Sequence, residues 1–197
     1  MSFKEIMDGL LLGDGCLRKT ARTAKYTHSA KHEDYLLWIK NFLEKEGVSF
    51  TPKIYRKDEG RGIYYQLHSR VHERLTEEYH RWYTEEGKKI LPSDLKLTPL
   101  SAKHWYIGDG GLDSDKGYLR QISFAAHSFS YEERDYLVAQ LKELGFKASN
   151  RKRGQICIAK SSVKDFIDWI GECPTKSYEY KWELTKYQSK QPKYRKL

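Results

Sequence analysis

Two aspartates, Asp14 and Asp109, each stand between glycines at the end of a short apolar run, in GLLLGDGCL over 9–17 and HWYIGDGGL over 104–112. They lie 95 residues apart (109 − 14), close to half of a 197-residue chain. One Gly-Asp-Gly after an apolar run is an ordinary turn; two copies within a longer repeat ask for another reason. If the first run is a helix over 5–14, Gly9 and Gly13 share a face. A glycine inside a helix costs about 1 kcal/mol against alanine, so the pair points to close approach of another helix. Gly108 holds the same place in the second copy. Packing along this face would bring Asp14 and Asp109 together at the helix ends. Carboxylates held close repel each other, and helix C-termini add unpaired carbonyls and a negative dipole end. An oxygen-ligated divalent cation relieves both, which makes Mg²⁺ the expected cofactor, with Mn²⁺ or Ca²⁺ able to occupy the same place.

The elements that must position these residues also repeat. His28-Ser29 precedes a helical pattern at 33–46 ending at Gly47, and His127-Ser128 precedes one at 131–144 ending at Gly145; both glycines suit a left-handed cap. Strand patterns follow at 50–57 and 62–68, joined by Asp58-Glu59-Gly60, and at 146–152 and 155–160, joined by Arg153-Gly154. Helices are expected near 71–84 and 162–170. Each half therefore reads helix, two strands, helix, two strands, helix. The fold class is α+β, with halves at 1–84 and 101–197, a linker at 85–100 and a pseudo-twofold axis between them.

Strand alternation separates faces. Leu17, Ile54, Ile63, Tyr65, Leu67, Ile122, Phe124, Ile156 and Ile158 are expected to face the helices. The outward set in the first half, with its turns, is Arg18, Lys19, Arg22, Lys25, Lys53, Tyr55, Lys57, Tyr64, Gln66, His68 and Arg70, beside Cys16. In the second half it is Arg120, Gln121, Ser123, Ser149, Arg151, Arg153 and Gln155, beside Cys157 and His127. Residues 15–31 and 147–160 each carry five Lys or Arg and no acid, and the chain's net charge is +9. Such faces suit phosphates and base edges. Asp113 fits poorly. It aligns with Arg18, Asp115 follows it, and phosphate repels carboxylates. Either these acids belong to a loop turned away, or one accepts from cytosine N4.

The rest of the composition narrows the class. Three scattered cysteines without a Cys-x-x-Cys pair give neither a disulfide framework nor a zinc ribbon. His28/His32 and His68/His72 have helical metal spacing but straddle strand ends. Asp113-x-Asp115-x-Gly117 begins like a calcium loop, yet Phe124 holds the twelfth position where glutamate is needed. No membrane-length apolar run or signal pattern is present. An internal location follows as an expectation, prokaryotic cytoplasm with its nucleoid or, alternatively, an organelle. Few Cys, Met and Asn beside many charged residues is a composition that thermophiles use. The tail 186–197 carries five basic residues and no acid.

Met7 to Gly15, MDGLLLGDG, resembles the nine-residue motif of the LAGLIDADG homing endonucleases in their single-chain branch. Leu97-Thr98-Pro99-Leu100-Ser101 with Trp105 to Gly111 resembles that branch's second motif, and His127-Ser128-Phe129-Ser130 through Leu137 has the family's look. The resemblance covers nearly the whole chain; His104 departs from it, where a small residue or tyrosine is usual. It implies two αββαββα halves, each laying a four-stranded saddle along DNA. Asp14 and Asp109 would hold metal, helped by the carbonyls of Gly13 and Gly108. Lys89, in KKILP, and Lys181, in YEYK, match the family's pocket lysines; they fall 75 and 72 residues past their aspartates (89 − 14 and 181 − 109). His28 and His127 stand where the family often has glutamine and would orient water. The implied activity is site-specific hydrolysis of both DNA strands across the minor groove, leaving short 3′ overhangs. The implied partner is a long, asymmetric duplex, and the chain is expected to act as a monomer with no membrane. Intron maturases share the fold, which makes intron RNA the alternative partner.

Overall fold

The computed structural model describes residues 2–58, 60 and 62–187. Its first helix, α1 (Phe3–Leu12), opens on a capping box in which Ser2 Oγ accepts from Glu5 N–H and the Glu5 carboxylate accepts from Ser2 N–H. Strands β1 (Gly15–Lys19) and β2 (Ala24–Ala30), helix α2 (Glu33–Lys45), strands β3 (Tyr55–Asp58) and β4 (Ile63–His72) and helix α3 (Glu73–Trp82) complete the first half. The second half repeats this order with α4 (Pro99–Asp109), β5 (Gly110–Asp115), β6 (Tyr118–Ala125), α5 (Tyr131–Glu143), β7 (Ala148–Arg151), β8 (Gln155–Ala159) and α6 (Val163–Ile170). The fold is α+β, two αββαββα units. Their antiparallel sheets have equivalent strand orders, β1-β2-β4-β3 and β5-β6-β8-β7. Helices α2 and α5 stop where expected, with Gly47 and Gly145 at φ +90 and +92.

Several boundaries differ from the sequence reading. Helix α1 ends at Leu12 with Gly13 as its cap, so Asp14 lies just beyond the helix. Strand β3 begins at Tyr55 rather than 50, which leaves Lys53 outside any strand. Strand β4 continues to His72 because β2 keeps pairing with it past a bulge, Lys25 opposite Val71 and Ala24 opposite His72. Helix α3 consequently starts at Glu73, where His72 Nδ1 accepts from Arg74 N–H. Ile63, expected to face the helices, sits at a strand end and is exposed.

One hydrophobic core runs through both halves. Tyr35 and Trp38 of α2 pack against His104 of α4; the Tyr35 hydroxyl is hydrogen-bonded to His104 Nδ1 at 2.8 Å. His104, the residue that departs from the family pattern, is therefore a core residue shared by the two halves. The segment between α3 and α4 is strapped along α5. Leu95 and Leu97 are buried, Leu91 N–H donates to Glu133 Oε1 at 2.6 Å, and Leu97 N–H donates to Gln140 Oε1 at 2.7 Å. Among the described residues no helix is long and apolar enough to cross a membrane.

Candidate active site and nucleic-acid interface

The glycine faces of α1 and α4 meet. A Cβ on Gly9 would fall 2.5 Å from the Ser101 carbonyl oxygen, and one on Gly108 would fall 3.0 Å from both Gly13 Cα and Asp14 N. Only glycine permits this approach, and it sets the Gly13-Asp14 and Gly108-Asp109 backbones side by side. Burial raises the carboxyl pKa of Asp14 against the pull of Lys181 and Lys89. Asp109 is raised to about 7, by burial and then by the charge of Asp14. The two acids are thus close enough to resist sharing full ionisation.

Two lysines reach the same place by equivalent routes. Lys89 Nζ donates to the carbonyl of Gly15 at 3.2 Å. Lys181 Nζ donates to the carbonyl of Gly110 at 2.7 Å, and also to Ile107 at 2.6 Å and Tyr106 at 3.3 Å. Each lysine therefore bonds the residue immediately after an aspartate. Burial lowers the Lys89 pKa and takes Lys181 to about 8, opposed in both cases by the neighbouring acids. The segments that carry them cross over. Lys89 begins the strap held by Glu133 and Gln140 of the second half. Lys181 closes a 3₁₀ turn (Lys176–Lys181) pinned to the first half, where Ser177 Oγ donates to Asp34 Oδ1 at 2.6 Å and Tyr178 packs on Tyr35 and His32. A cavity of about 310 Å³ opens beside Asp14, Gly108 and Lys181, with Lys31, Tyr178 and Tyr180 on its wall. The sequence reading missed those three residues. Nothing in their spacing marks them, because the walls come from opposite ends of the chain.

Among the described residues no group of three or more His, Cys, Asp or Glu side chains is placed to hold a metal ion. The oxygen-bearing groups brought together here are the carboxylates of Asp14 and Asp109 and the main chain of Gly13, just after α1, and of Gly108, in the last turn of α4. That set is hard and incomplete, and fits a cation such as Mg²⁺ that retains much of its water. Burial raises both carboxyl pKa values, and the charge of Asp14 adds to the rise at Asp109; a cation's charge would favour the ionised form of both.

The two histidines are not equivalents. His28 pairs with Gly15 across β1 and β2 and faces the core. It is buried; its Nδ1 is hydrogen-bonded to the Tyr26 hydroxyl at 2.6 Å, and its Nε2 has no partner among the described residues. Burial, with Lys89 nearby, lowers its pKa to about 3, so it is a neutral core imidazole. His127 lies in an exposed turn after β6 with its ring against Gly154. The residue paired with Gly110, as His28 is with Gly15, is Phe124. The matching His-Ser pairs in the sequence misalign the two halves by three residues.

On the first sheet, register places Arg18 beside Lys25, Thr27 beside His68, Tyr55 beside Gln66 and Lys57 beside Tyr64, on the face away from the helices. Arg22 is exposed in the β1–β2 turn, and Arg70 is exposed on β4. Lys19 is a correction: its partner Ala24 is fully buried, and its ammonium lies over the Tyr79 ring of α3 at 5.6 Å, on the helix side. On the second sheet Gln121, Ser123, Ser149, Arg151 and Gln155 share the outer face, with Arg153 in the β7–β8 turn. Cys157 is on this face but almost fully covered. Asp113 belongs to strand β5, not to a loop turned away; it accepts from Gln121 Nε2 and Ser123 Oγ, both at 2.9 Å. Asp115, past a bulge, is ion-paired with Arg120. The basic tail proper, 188–197, lies outside the described residues.

A further polar cluster ties α3 to α1 and to the segment before α4. Arg81 of α3 binds Asp8, Glu78 and Asp94, and Trp82 Nε1 donates to Asp8 at 3.2 Å. The lone acid inside the first apolar run was the available signal for it.

Two αββαββα halves joined through glycine-faced helices, each leading into Gly-Asp, define the class as a single-chain, two-motif LAGLIDADG protein. Residues 4–166 match the LAGLIDADG DNA endonuclease family, and the chain belongs to it. It is 31% identical over 158 residues to the uncharacterized protein MJ1098 of Methanocaldococcus jannaschii, covering 77% of this chain and 60% of that one. It is 29% identical over 154 residues to the protein RecA of Mycolicibacterium chitae, covering 71% of this chain and 35% of that one. The chain thus spans less than two thirds of either relative. Its fold is shared with the homing endonuclease I-WcaI, solved bound to its DNA recognition sequence, at a TM-score of 0.77 and 21% identity over 90% of this chain and 84% of that one.

Proposed function

We propose that the chain is a site-specific homing endonuclease that uses Mg²⁺ to hydrolyse both strands of a long, asymmetric DNA site, leaving short 3′ overhangs and acting as a monomer. The observation that carries this reading is the meeting of two Gly-Asp turns with two lysines in one partly buried centre. Asp14 and Asp109, with the Gly13 and Gly108 carbonyls, would hold the cation. When bound, it would supply charge to the phosphate and acidify a coordinated water. The chain's own groups do the rest. The aspartates anchor the centre on rigid helix ends. Lys89 and Lys181, already oriented by carbonyls, place positive charge where a phosphate's oxygens gain charge. The lysine on each side belongs to a segment clasped by the opposite half, so each catalytic side depends on both halves. The basic outer face of the first sheet supports duplex DNA as the partner through phosphate neutralisation.

A randomised duplex library incubated with Mg²⁺, with the cut ends sequenced, tests the proposal. Expected are recurrent cuts at one site class with 3′ overhangs, lost in Asp14→Asn and Asp109→Asn while DNA binding in Ca²⁺ persists. Full double-strand cleavage by either variant would refute the mechanism.

A further inference from the structure

An acid stands on the outer face of the second sheet, where a phosphate-binding surface has no use for one. Asp113 pairs in register with Gln121, next to the buried Ile122, so it lies on the face turned from the core. Both of its oxygens are engaged, by Gln121 Nε2 and Ser123 Oγ. Among the described residues it forms no ion pair, whereas the neighbouring Asp115 has Arg120. A carboxylate offers about four acceptor positions, so two remain. Ser123 spends its only hydroxyl proton on Asp113 and is left as an acceptor. Gln121 spends one of its two amide N–H groups there and keeps the other together with its carbonyl oxygen. The cluster is therefore fixed in a form rich in acceptors. A bulge directly after Asp113, with Arg120 the extra residue on β6, breaks the register at this point. The first sheet carries Arg18 beside Lys25 at the corresponding place, the opposite charge.

An acceptor cluster with net negative charge repels phosphate, so on a DNA-facing sheet it needs a donor on a base edge. The major groove offers two, the amino groups of cytosine and adenine. Adenine sets the acceptor N7 beside its amino group, which would oppose a carboxylate oxygen; cytosine sets a C–H there. We propose that Asp113, held by Gln121 and Ser123, reads the N4 amino group of one cytosine in the half-site under the second sheet. This rests on the reading above that the strand faces lie along duplex DNA.

The test is binding selection from a randomised duplex library in Ca²⁺, comparing the wild-type chain with Asp113→Asn and Ser123→Ala. The wild type should select cytosine at one position of one half-site. Asp113→Asn, which turns an acceptor into a donor, should lose that preference by about tenfold or more and leave every position under the first sheet unchanged. Ser123→Ala should weaken the same position by less. The unchanged positions also report that the variants fold. An identical profile in Asp113→Asn would overturn the assignment, as would adenine at that position or a uniform gain in affinity for all sequences, the mark of simple phosphate repulsion. In each of those outcomes the endonuclease reading stands. A wild-type chain that binds no duplex would remove that reading and this one together.

Discussion

The two sheets share strand order but not charge. The outer face of the first carries Arg18, Lys25 and Lys57 with no acid among its in-register neighbours; the second carries Asp113 and Arg151 among Gln, Ser and a covered Cys157. At the centre the halves agree far more closely, with Gly13 against Gly108 and each lysine on the carbonyl after an aspartate. The difference follows from what each region meets. The helix seam meets itself, so any change must suit both halves at once. The sheet faces meet different stretches of a partner, and each is free to diverge. An asymmetric pair of faces on a pseudo-symmetric centre suits an asymmetric site.

Three experiments bear on that comparison. The largest effect belongs to the centre. Lys89→Met and Lys181→Met should each slow cleavage by about 10²–10³, seen as accumulation of nicked plasmid with opposite strands intact in the two variants. The same strand left intact in both would break the equivalence. The next effect concerns the position where the halves differ in the core. His28 and His104 are both held at pKa about 3 by burial, with Lys89 and Lys103 respectively adding to the effect. Their folded pKa lies below the usual 6.5, so the unfolded chain takes up protons that the folded chain refuses. The stability they allow is complete above pH 6.5 and is lost as pH falls towards 3, about 2 kcal/mol for each by pH 5. His28→Phe, which copies Phe124 of the second half, should flatten roughly half of this acid limb in thermal melts between pH 7 and 5; an unaltered limb would mean His28 is protonated in the fold. The smallest effect lies on the faces. Lys57→Ala should reduce the slope of log affinity against log salt by about 0.9, whereas Gln155→Ala on the second sheet should leave the slope as it is. Equal slopes in the two variants would contradict the charge contrast.

Much of this molecule was legible because it is local. The apolar spacing of 33–46 and 131–144, the glycines that end both helices, and alternation in β1, β4, β6 and β8 each depend on a few neighbouring residues. Even the helix seam could be inferred, since glycines four apart inside an apolar run weaken a helix unless a second backbone closes on them. Where local patterns misled, a distant contact decided. His28 and His127 looked alike from their Ser neighbours, but strand pairing with Gly15 and Gly110 sets the register and matches His28 to Phe124. Lys19 looked like a phosphate contact until α3 brought Tyr79 beneath it.

By itself, the sequence determined the two-part plan, the order of elements and the aspartate pair, since periodicity, capping and repetition are written in adjacent residues. Only the tertiary structure decided which carbonyls the lysines engage, which half clasps which segment, and that Asp113 is tied to Gln121 and Ser123. Those outcomes depend on strand register and on packing between residues far apart in the chain, Ser177 on Asp34 and Leu91 on Glu133. No local pattern encodes such a distance. It is fixed when the halves close on each other.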